Sequence, residues 1–167
     1  MPIVFKSRVF SVEVDRQRLP GGREHDVAIV RHRPSVVLIP MEEDGRLVLI
    51  RQMRRSVERI MWELPAGSVE DGETPEDAAV RECEEEIGRR PGRVERLGAF
   101  YPTPGYCDEQ MIFFRVRDLR QPPPDSPHRP DEDEDIHAQA VTIAEARAML
   151  AQGEIVDLKT AYGLTLV

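Results

Sequence analysis

The chain has 167 residues, of which 40% are hydrophobic and 32% are charged, and this size and composition are those of one globular domain. Its formal net charge of −8 and the lack of a basic run make polymeric nucleic acid an unsuitable partner, because such binding depends on Lys and Arg neutralising phosphates. No apolar run approaches the roughly 18 residues of a membrane span, and two cysteines without metal-site spacing predict free thiols in the cytoplasm.

Strands dominate the first part of the sequence. Residues 9–14 alternate between apolar and polar side chains, residues 19–22 read "LPGG" and predict a turn, and residues 25–33 predict a returning strand. We therefore expect residues 1–33 to form an N-terminal antiparallel β unit and residues 34–167 to form the main domain.

The main domain begins with "SVVLIP" (35–40), a continuous apolar run of the length of a buried strand. The turn "EEDG" (42–45) separates this run from a second strand, "RLVLIRQMR" (46–54). Three later segments also predict strands: 94–101, 110–116 and 137–143. Together with the helices, these strands predict an α/β fold.

The helices are predicted from the signals at their ends. The best marked covers residues 75–87, with Thr74 as N-cap, Pro75 at the first helical position and Gly88 as the stop. Two more are predicted near the C-terminus, from Thr142 to Gly153 and over residues 157–166.

The helix over residues 75–87 carries most of the excess acid. Residues 67–88 contain nine Asp or Glu and one Arg, which accounts for the whole net charge of −8. At 100° per residue, Glu82 and Glu86 lie side by side at the edge of the apolar stripe, where two carboxylates repel each other unless a cation joins them. Carboxylate oxygens suit Mg²⁺ or Mn²⁺, so the spacing predicts a divalent-metal site. The alternative is a solvated acidic face.

Other charged residues of this helix have different predicted surroundings. Glu85 lies within i, i+4 reach of Arg81, and we expect an ion pair between them. Glu84 and Asp77 point away from the apolar stripe and are predicted to face solvent.

A longer pattern surrounds these acids: Gly67, then Glu73 after five residues, then "RECEEEIG" (81–88) after seven. This pattern resembles the signature of the Nudix hydrolases. Cys83 and Arg89 stand where the family usually has aliphatic residues, which affects packing and not the metal ligands. The resemblance implies an α/β/α sandwich with a mixed β-sheet, and hydrolysis of a nucleoside diphosphate linked to another moiety with the help of divalent cations.

The resemblance also implies roles for individual residues of the signature. The metal ligands would be one backbone carbonyl and three carboxylates: Ala66, Glu82, Glu85 and Glu86. Glu85 is alternatively a group that positions the attacking water. Arg81 and Glu73 are expected to brace the loop against the helix.

Segments outside the signature indicate which group of Nudix hydrolases the sequence resembles. The segments "RPSVVLIP", "WELPAG" and "FYPTPGYCDE" resemble parts of bacterial ADP-ribose pyrophosphatases. By that resemblance the substrate-binding candidates are Arg54, Arg51 as the second choice, Phe10, Glu109 and Pro104. An Arg fork can pair with two phosphate oxygens, and a flat ring can stack on adenine. The alternatives are ordinary surface arginines and a core position for Phe10.

The general base has three candidates by resemblance: Glu109, Glu132 and Glu134. Glu134 would be either a third metal ligand or the base, and Glu132 competes with it. Both lie in the segment of residues 120–135, whose five prolines predict an exposed loop that ends in acid. The alternative for this loop is an acidic segment that only keeps the protein in solution.

The expected reaction is Mg²⁺-dependent hydrolysis of ADP-ribose to AMP and ribose 5-phosphate. A GDP-sugar, NADH or the flavin dinucleotide FAD are alternative substrates. A sensor that binds ADP-ribose without cleaving it and an acidic interaction protein are the non-enzymatic alternatives. Related enzymes exchange their N-terminal strands, so we expect a homodimer with a swapped N-terminal β unit and a composite adenine site.

Overall fold

The computed structural model describes residues 2–128 and 136–167, which form three sheets and three helices. The strands are β1 (Ile3–Lys6), β2 (Phe10–Arg18), β3 (Glu24–His32), β4 (Ser35–Pro40), β5 (Leu47–Arg54), β6 (Arg59–Glu63), β7 (Ala66–Ser68), β8 (Arg90–Phe100), β9 (Met111–Arg120) and β10 (His137–Val141). The helices are α1 (Pro75–Ile87), α2 (Ile143–Ala151) and α3 (Leu158–Gly163). The predicted α/β class is confirmed.

The first three strands form an antiparallel sheet of their own, in the order β1-β2-β3. The predicted hairpin of β2 and β3 is confirmed, whereas β1 was not predicted. Apolar side chains of this unit are exposed, from 37% for Phe10 to 59% for Val4. The backbone of Val30 joins the sheet to the main domain, donating to the carbonyl of Tyr106 at 2.7 Å and accepting from the N–H of Asp108 at 3.1 Å. The division into two domains stays a prediction.

The most buried strand of the main domain is β4. It pairs in parallel with β9 and antiparallel with β7, in the sheet order β7-β4-β9-β8, so the predicted mixed sheet is confirmed. All of its residues are buried. Because successive side chains of a strand point to opposite faces, Val36 and Leu38 pack against α1, while Val37 and Ile39 pack against β5, β10 and α2.

The helix α1 has the bounds that its end signals predict. The side chain of Thr74 accepts a hydrogen bond from the N–H of Asp77 at 3.1 Å, and Gly88 ends the helix with a φ of 66°. Ala79 and Cys83 of the predicted apolar stripe are fully buried. Burial raises the pKa of the Cys83 thiol to about 12, so this thiol is protonated at neutral pH.

The elements that differ from the prediction are short or lie at strand ends. The sequence does not predict β6 and β7, which contain few residues and pair with β5 and β4. β10 ends at Val141 because Thr142 leaves the strand to cap α2. Among the described residues, no helix is long and apolar enough to cross a lipid bilayer.

Candidate active site

A cleft of about 760 Å³ lies between β7 and α1. Ala66 and Gly67 of β7 line one side, and three carboxylates of α1 line the other: Glu82, Glu85 and Glu86. Arginines from other elements also line it: Arg8, Arg33 and Arg54. The structure therefore brings four of the predicted metal ligands into one cleft, Ala66, Glu82, Glu85 and Glu86, while their individual roles stay predictions.

The carboxylate of Glu82 lies directly against Gly67. A Cβ atom at position 67 would come within 1.9 Å of Glu82 Oε1 and 2.1 Å of Glu82 Cδ, far inside van der Waals contact. Glu82 is only 7% exposed, and its carboxylate lines the cleft. A side chain at position 67 would thus have to displace the Glu82 carboxylate.

We expect Gly67→Ala to lower kcat/KM about 100-fold for a reaction that uses the Glu82 carboxylate, because displacing a positioned group by about 1 Å costs a factor of this size. Steady-state kinetics and thermal melting of the same preparation measure the effect. The matched control is Gly105→Ala, since a Cβ at position 105 meets nothing within 4 Å. An unchanged kcat/KM in Gly67→Ala would contradict the assigned position of Glu82.

Arg81 joins the acids of the site through all of its nitrogens. Its Nε and Nη2 donate to the two oxygens of Glu73 at 2.9 and 3.0 Å. Its Nη1 donates to Glu82 at 2.6 Å and to Glu85 at 2.9 Å, which confirms the predicted pair with Glu85. Nη2 also donates to the carbonyl of Ser68 at 2.9 Å, as expected of a brace between loop and helix. Hydrogen bonding to Glu73 outweighs burial and raises the pKa of Arg81 above its usual value.

The pKa of Glu73 makes the stability of the fold depend on pH in the acidic range. Burial would raise the pKa of Glu73, but hydrogen bonds from Arg81 and from the N–H of Glu70 hold it below its usual value. A carboxylate whose pKa is lower in the folded state stabilises the fold above the unfolded-state pKa of about 4.3. That contribution is lost as the pH falls through the lower, folded-state pKa.

We therefore expect Glu73→Gln to make the free energy of unfolding less dependent on pH below about pH 4.3. Urea denaturation of both proteins at a series of acidic pH values measures the two slopes. Asp71→Asn is the control, because the side chain of Asp71 is 88% exposed. Equal slopes in wild type and Glu73→Gln would refute the contribution assigned to Glu73.

The donor atoms of the cleft suit a hard divalent cation. Mg²⁺ is usually held by one or two carboxylates, and waters and substrate phosphates complete its shell. The N–H of Ala66 donates to Glu86 Oε2 at 2.7 Å, which holds that carboxylate beside the backbone of β7. Within residues 2–128 and 136–167, no group of three or more His, Cys, Asp or Glu side chains is arranged so that it could hold a metal ion by itself. A cation held by the α1 carboxylates would therefore need further oxygen ligands, such as waters and substrate phosphates.

A second cleft of about 440 Å³ adjoins the first. The two clefts share five lining residues: Val9, Arg54, Ala66, Gly67 and Ser68. In the second cleft, Glu109 Oε1 accepts a hydrogen bond from Ser35 Oγ at 2.7 Å and lies 3.8 Å from His32 Nδ1. Arg54 is thus at the junction of the clefts, and Glu109 lies on the side away from α1.

The guanidinium of Arg54 is held by an acid that sequence reasoning missed. Its Nε and Nη2 donate to the two oxygens of Glu63 at 2.8 and 2.6 Å. Lys159 Nζ donates to the same carboxylate and to Asp157 at 3.0 Å. Although burial opposes ionisation, hydrogen bonds from Arg54 and Lys159 lower the pKa of Glu63. The available signal was the acid in "WELPAG", which follows Trp at the end of a strand.

Three of the predicted substrate residues lie outside both clefts. Arg51 is on the opposite face of β5 from Arg54, and its guanidinium lies 5.2 Å from the ring centroid of Trp62. Phe10 is exposed on β2, and Pro104 is exposed in the loop between β8 and β9. Their substrate roles stay predictions. The two loop acids, Glu132 and Glu134, lie outside the described residues.

The prediction that Glu84 faces solvent is wrong. Its side chain is 0% exposed, accepting hydrogen bonds from Arg90 Nη1 at 2.7 Å and from Ser126 Oγ. The loop after β9 covers this side of α1, and a helical projection of α1 cannot show that cover. The same loop brings His128 Nδ1 to 3.9 Å from Glu85 Oε1.

Comparison with known proteins identifies related sequences and structures. The NUDIX domain family matches residues 31–160. An ADP-ribose pyrophosphatase of Bacillus subtilis (strain 168) is 33% identical over 161 residues, which are 96% of this chain and 86% of that protein. A methanol dehydrogenase activator of Bacillus methanolicus is 33% identical over 157 residues, or 94% of this chain and 84% of that protein. A crystal structure of an ADP compounds hydrolase matches with a TM-score of 0.81 and 23% identity, covering 99% of this chain and 88% of that one.

Proposed function

The chain belongs to the Nudix family as a pyrophosphohydrolase, and from this premise we propose that it hydrolyses ADP-ribose to AMP and ribose 5-phosphate in a Mg²⁺-dependent reaction. The observation that carries the proposal is the junction of the two clefts at Arg54. A diphosphate that joins two sugars needs cations for its charge, here Arg54 and a divalent ion on the α1 carboxylates, and a polar pocket beside them. The Bacillus subtilis relative, an ADP-ribose pyrophosphatase, supports this choice of substrate.

Each residue of the first cleft has a different role in the proposed reaction. Glu82, Glu86 and the carbonyl of Ala66 would hold the divalent cation. Such a cation, when bound, neutralises diphosphate charge and lowers the pKa of a water molecule. In the hydrolysis, the water oxygen forms a bond to one phosphorus, the bond from that phosphorus to the bridging oxygen breaks, and the water loses a proton. Glu85 would orient this water, and Arg54 would neutralise charge on the phosphates.

The general base remains a proposal among three acids: Glu109, Glu132 and Glu134. Glu109 lies in the second cleft, where Ser35 orients its carboxylate. Comparing the pH dependence of kcat in single Glu→Gln variants of the three acids distinguishes them, because loss of the base removes the limb of the profile that reports its ionisation.

Assembly and location are proposed on separate grounds. We propose a homodimer formed by exchange of the N-terminal sheets, with Phe10 of one chain stacking on adenine in the site of the other. Exposed apolar side chains on that sheet and in the turn between β1 and β2 support an interface there: Ile3, Val4, Phe5, Val9 and Phe10. A monomeric mass by light scattering would refute the dimer. The two free thiols, Cys83 and Cys107, support a cytoplasmic location, which cell fractionation would test.

The function is tested by incubating purified protein with Mg²⁺ and ADP-ribose and measuring AMP by chromatography. Release of AMP, with a higher kcat/KM for ADP-ribose than for GDP-sugars, NADH or FAD, is the expected result. Tight binding of ADP-ribose without AMP would instead indicate a sensor. Absence of both binding and a Mg²⁺-dependent shift in melting temperature would indicate a protein without a metal site. Mn²⁺ is expected to substitute for Mg²⁺.

A further inference from the structure

Arg54, at the junction of the two clefts, is held by one edge of its guanidinium. Its Nε and Nη2 donate to the two oxygens of Glu63 at 2.8 and 2.6 Å. These N–H groups form one edge of the planar fork, while Nη1 and the second N–H of Nη2 form another edge, which Glu63 does not use. The side chain of Glu63 is 1% exposed and that of Arg54 is 40% exposed. The edge away from the buried carboxylate is therefore the one that is open to the clefts.

Glu63 is itself fixed from two directions. It is the last residue of β6, and the N–H of the next residue, the fully buried Leu64, donates to the hydroxyl of Thr160 at 2.7 Å. Lys159 Nζ, from the same helix α3, donates to the Glu63 carboxylate. These contacts do not involve Arg54, so they give its guanidinium an acceptor whose position is set by the core of the protein.

The orientation of an arginine affects how tightly it binds a phosphate. Two parallel N–H groups of the fork can pair with two phosphate oxygens at once. A long side chain that is free before binding loses rotamer freedom when it makes that pair, and this loss weakens binding. Because Arg54 is already held by Glu63, its side chain is ordered during folding and not during binding.

We propose that Glu63 is a positioning residue that holds Arg54 by its Nε and Nη2 edge and thereby presents the Nη1 and Nη2 edge to the substrate diphosphate. The inference rests on the proposed function and deepens it, because it names the donors that meet the phosphate and the residue that orients them. Arg54 stays on Glu63 while the substrate binds. Glu63 makes no contact with the substrate and acts only through Arg54.

The experiment measures binding of inorganic pyrophosphate with Mg²⁺ by calorimetry in two variants. Glu63→Gln fills the same space but has only one acceptor oxygen for the two N–H groups, and Glu63→Asp keeps the charge on a shorter side chain. We expect both to weaken binding about threefold to tenfold, the effect of ordering one long side chain on binding. Removing or withdrawing a negative charge would by itself favour an anion, so weaker binding identifies a loss of orientation. Unchanged or tighter binding in either variant would overturn the proposal.

A double-mutant cycle separates action through Arg54 from direct contact, since Glu63 also lines the second cleft. If Glu63 acts only through Arg54, adding Glu63→Gln to Arg54→Met does not weaken pyrophosphate binding further. A further loss of about threefold or more would mean that Glu63 contacts the ligand or stabilises the cleft in another way, and would overturn the proposal.

The variants of the cycle keep a partner for each buried charge. Arg54→Met leaves Lys159 on Glu63, and Glu63→Gln leaves Lys159 with Asp157 at 3.0 Å. Thermal melting checks that they fold. If Glu63→Gln does not fold, Glu63→Asp takes its place in the cycle.

Kinetics with ADP-ribose and a matched control complete the test. In Glu63→Gln we expect KM to rise and kcat to change less, because the contact with Arg54 is made by substrate and transition state alike. Glu95→Gln makes the same change in a pair with Arg115, at 3.3 Å and outside both clefts, and is expected to bind pyrophosphate as the wild type does. Pyrophosphate binding without AMP release by the wild type would refute the proposed substrate and leave the cycle valid. AMP release with pyrophosphate binding and KM unchanged in Glu63→Gln would refute only the role of Glu63.

Discussion

Replacing Glu82 by Gln is expected to lower kcat/KM for ADP-ribose about a thousand-fold while the protein remains folded. The amide has the shape of the carboxylate and fills the same buried space against Gly67. It lacks the charge that would hold a divalent cation, whose contribution of several kcal/mol to the transition state corresponds to a factor of this size. Steady-state kinetics at saturating Mg²⁺ measure the loss.

The matched control for this variant is Glu76→Gln, which removes the same charge from an exposed position of α1. Its kcat/KM is expected to equal that of the wild type. A second readout does not depend on turnover: Mg²⁺ should raise the melting temperature of the wild type more than that of Glu82→Gln. If Glu82→Gln kept a tenth or more of wild-type activity, the assignment of Glu82 as a metal ligand would be wrong.

Arg81→Met is expected to lower the free energy of unfolding by about 3–5 kcal/mol, the usual cost of removing one partner from a buried ion pair. The side chain of Arg81 is 11% exposed, and it is the guanidinium that neutralises Glu73, Glu82 and Glu85 together. Without it these carboxylates repel one another across the end of the cleft. Urea denaturation in the presence of EDTA measures the full loss.

Adding Mg²⁺ to Arg81→Met is expected to restore part of the lost stability, because a divalent cation would neutralise some of the same carboxylates. Arg46→Met is the control, since Arg46 and Asp44 form a surface pair with exposed fractions of 47% and 55%, and such pairs contribute little. A stability of Arg81→Met equal to the wild type, or one that is indifferent to Mg²⁺, would contradict the role of Arg81 as the counterion of the acids.

The parts of the fold that the sequence predicts well are determined by neighbouring residues. The bounds of α1 follow from Thr74, Pro75 and Gly88, and the order of acids along α1 already places Glu82 and Glu86 together. The wrong prediction for Glu84 comes instead from a contact between residues that are distant in sequence, because its partner Ser126 lies 42 residues away. No local pattern in α1 contains that contact.

The surroundings of the two candidate phosphate-binding arginines could not be predicted fully either, because they also depend on residues that are distant in sequence. A resemblance identifies Arg54, but the carboxylate that holds it is neutralised by Lys159, 96 residues further along the chain. Arg51 is close to Arg54 in sequence and yet lies on the opposite face of β5, since side chains alternate along a strand. Long-range pairing and strand register decide which of two similar arginines reaches the cleft.

The two clefts are lined in part by different segments of the fold. β7 is hydrogen-bonded to β4, whose residues are all buried, so the wall opposite the α1 carboxylates belongs to the core of the protein. The second cleft takes His32 from the end of β3 and Glu109 from the segment before β9. Substitutions in β7 therefore act on the core and on the wall of the first cleft together, whereas substitutions at His32 or Glu109 change the lining of the second cleft alone.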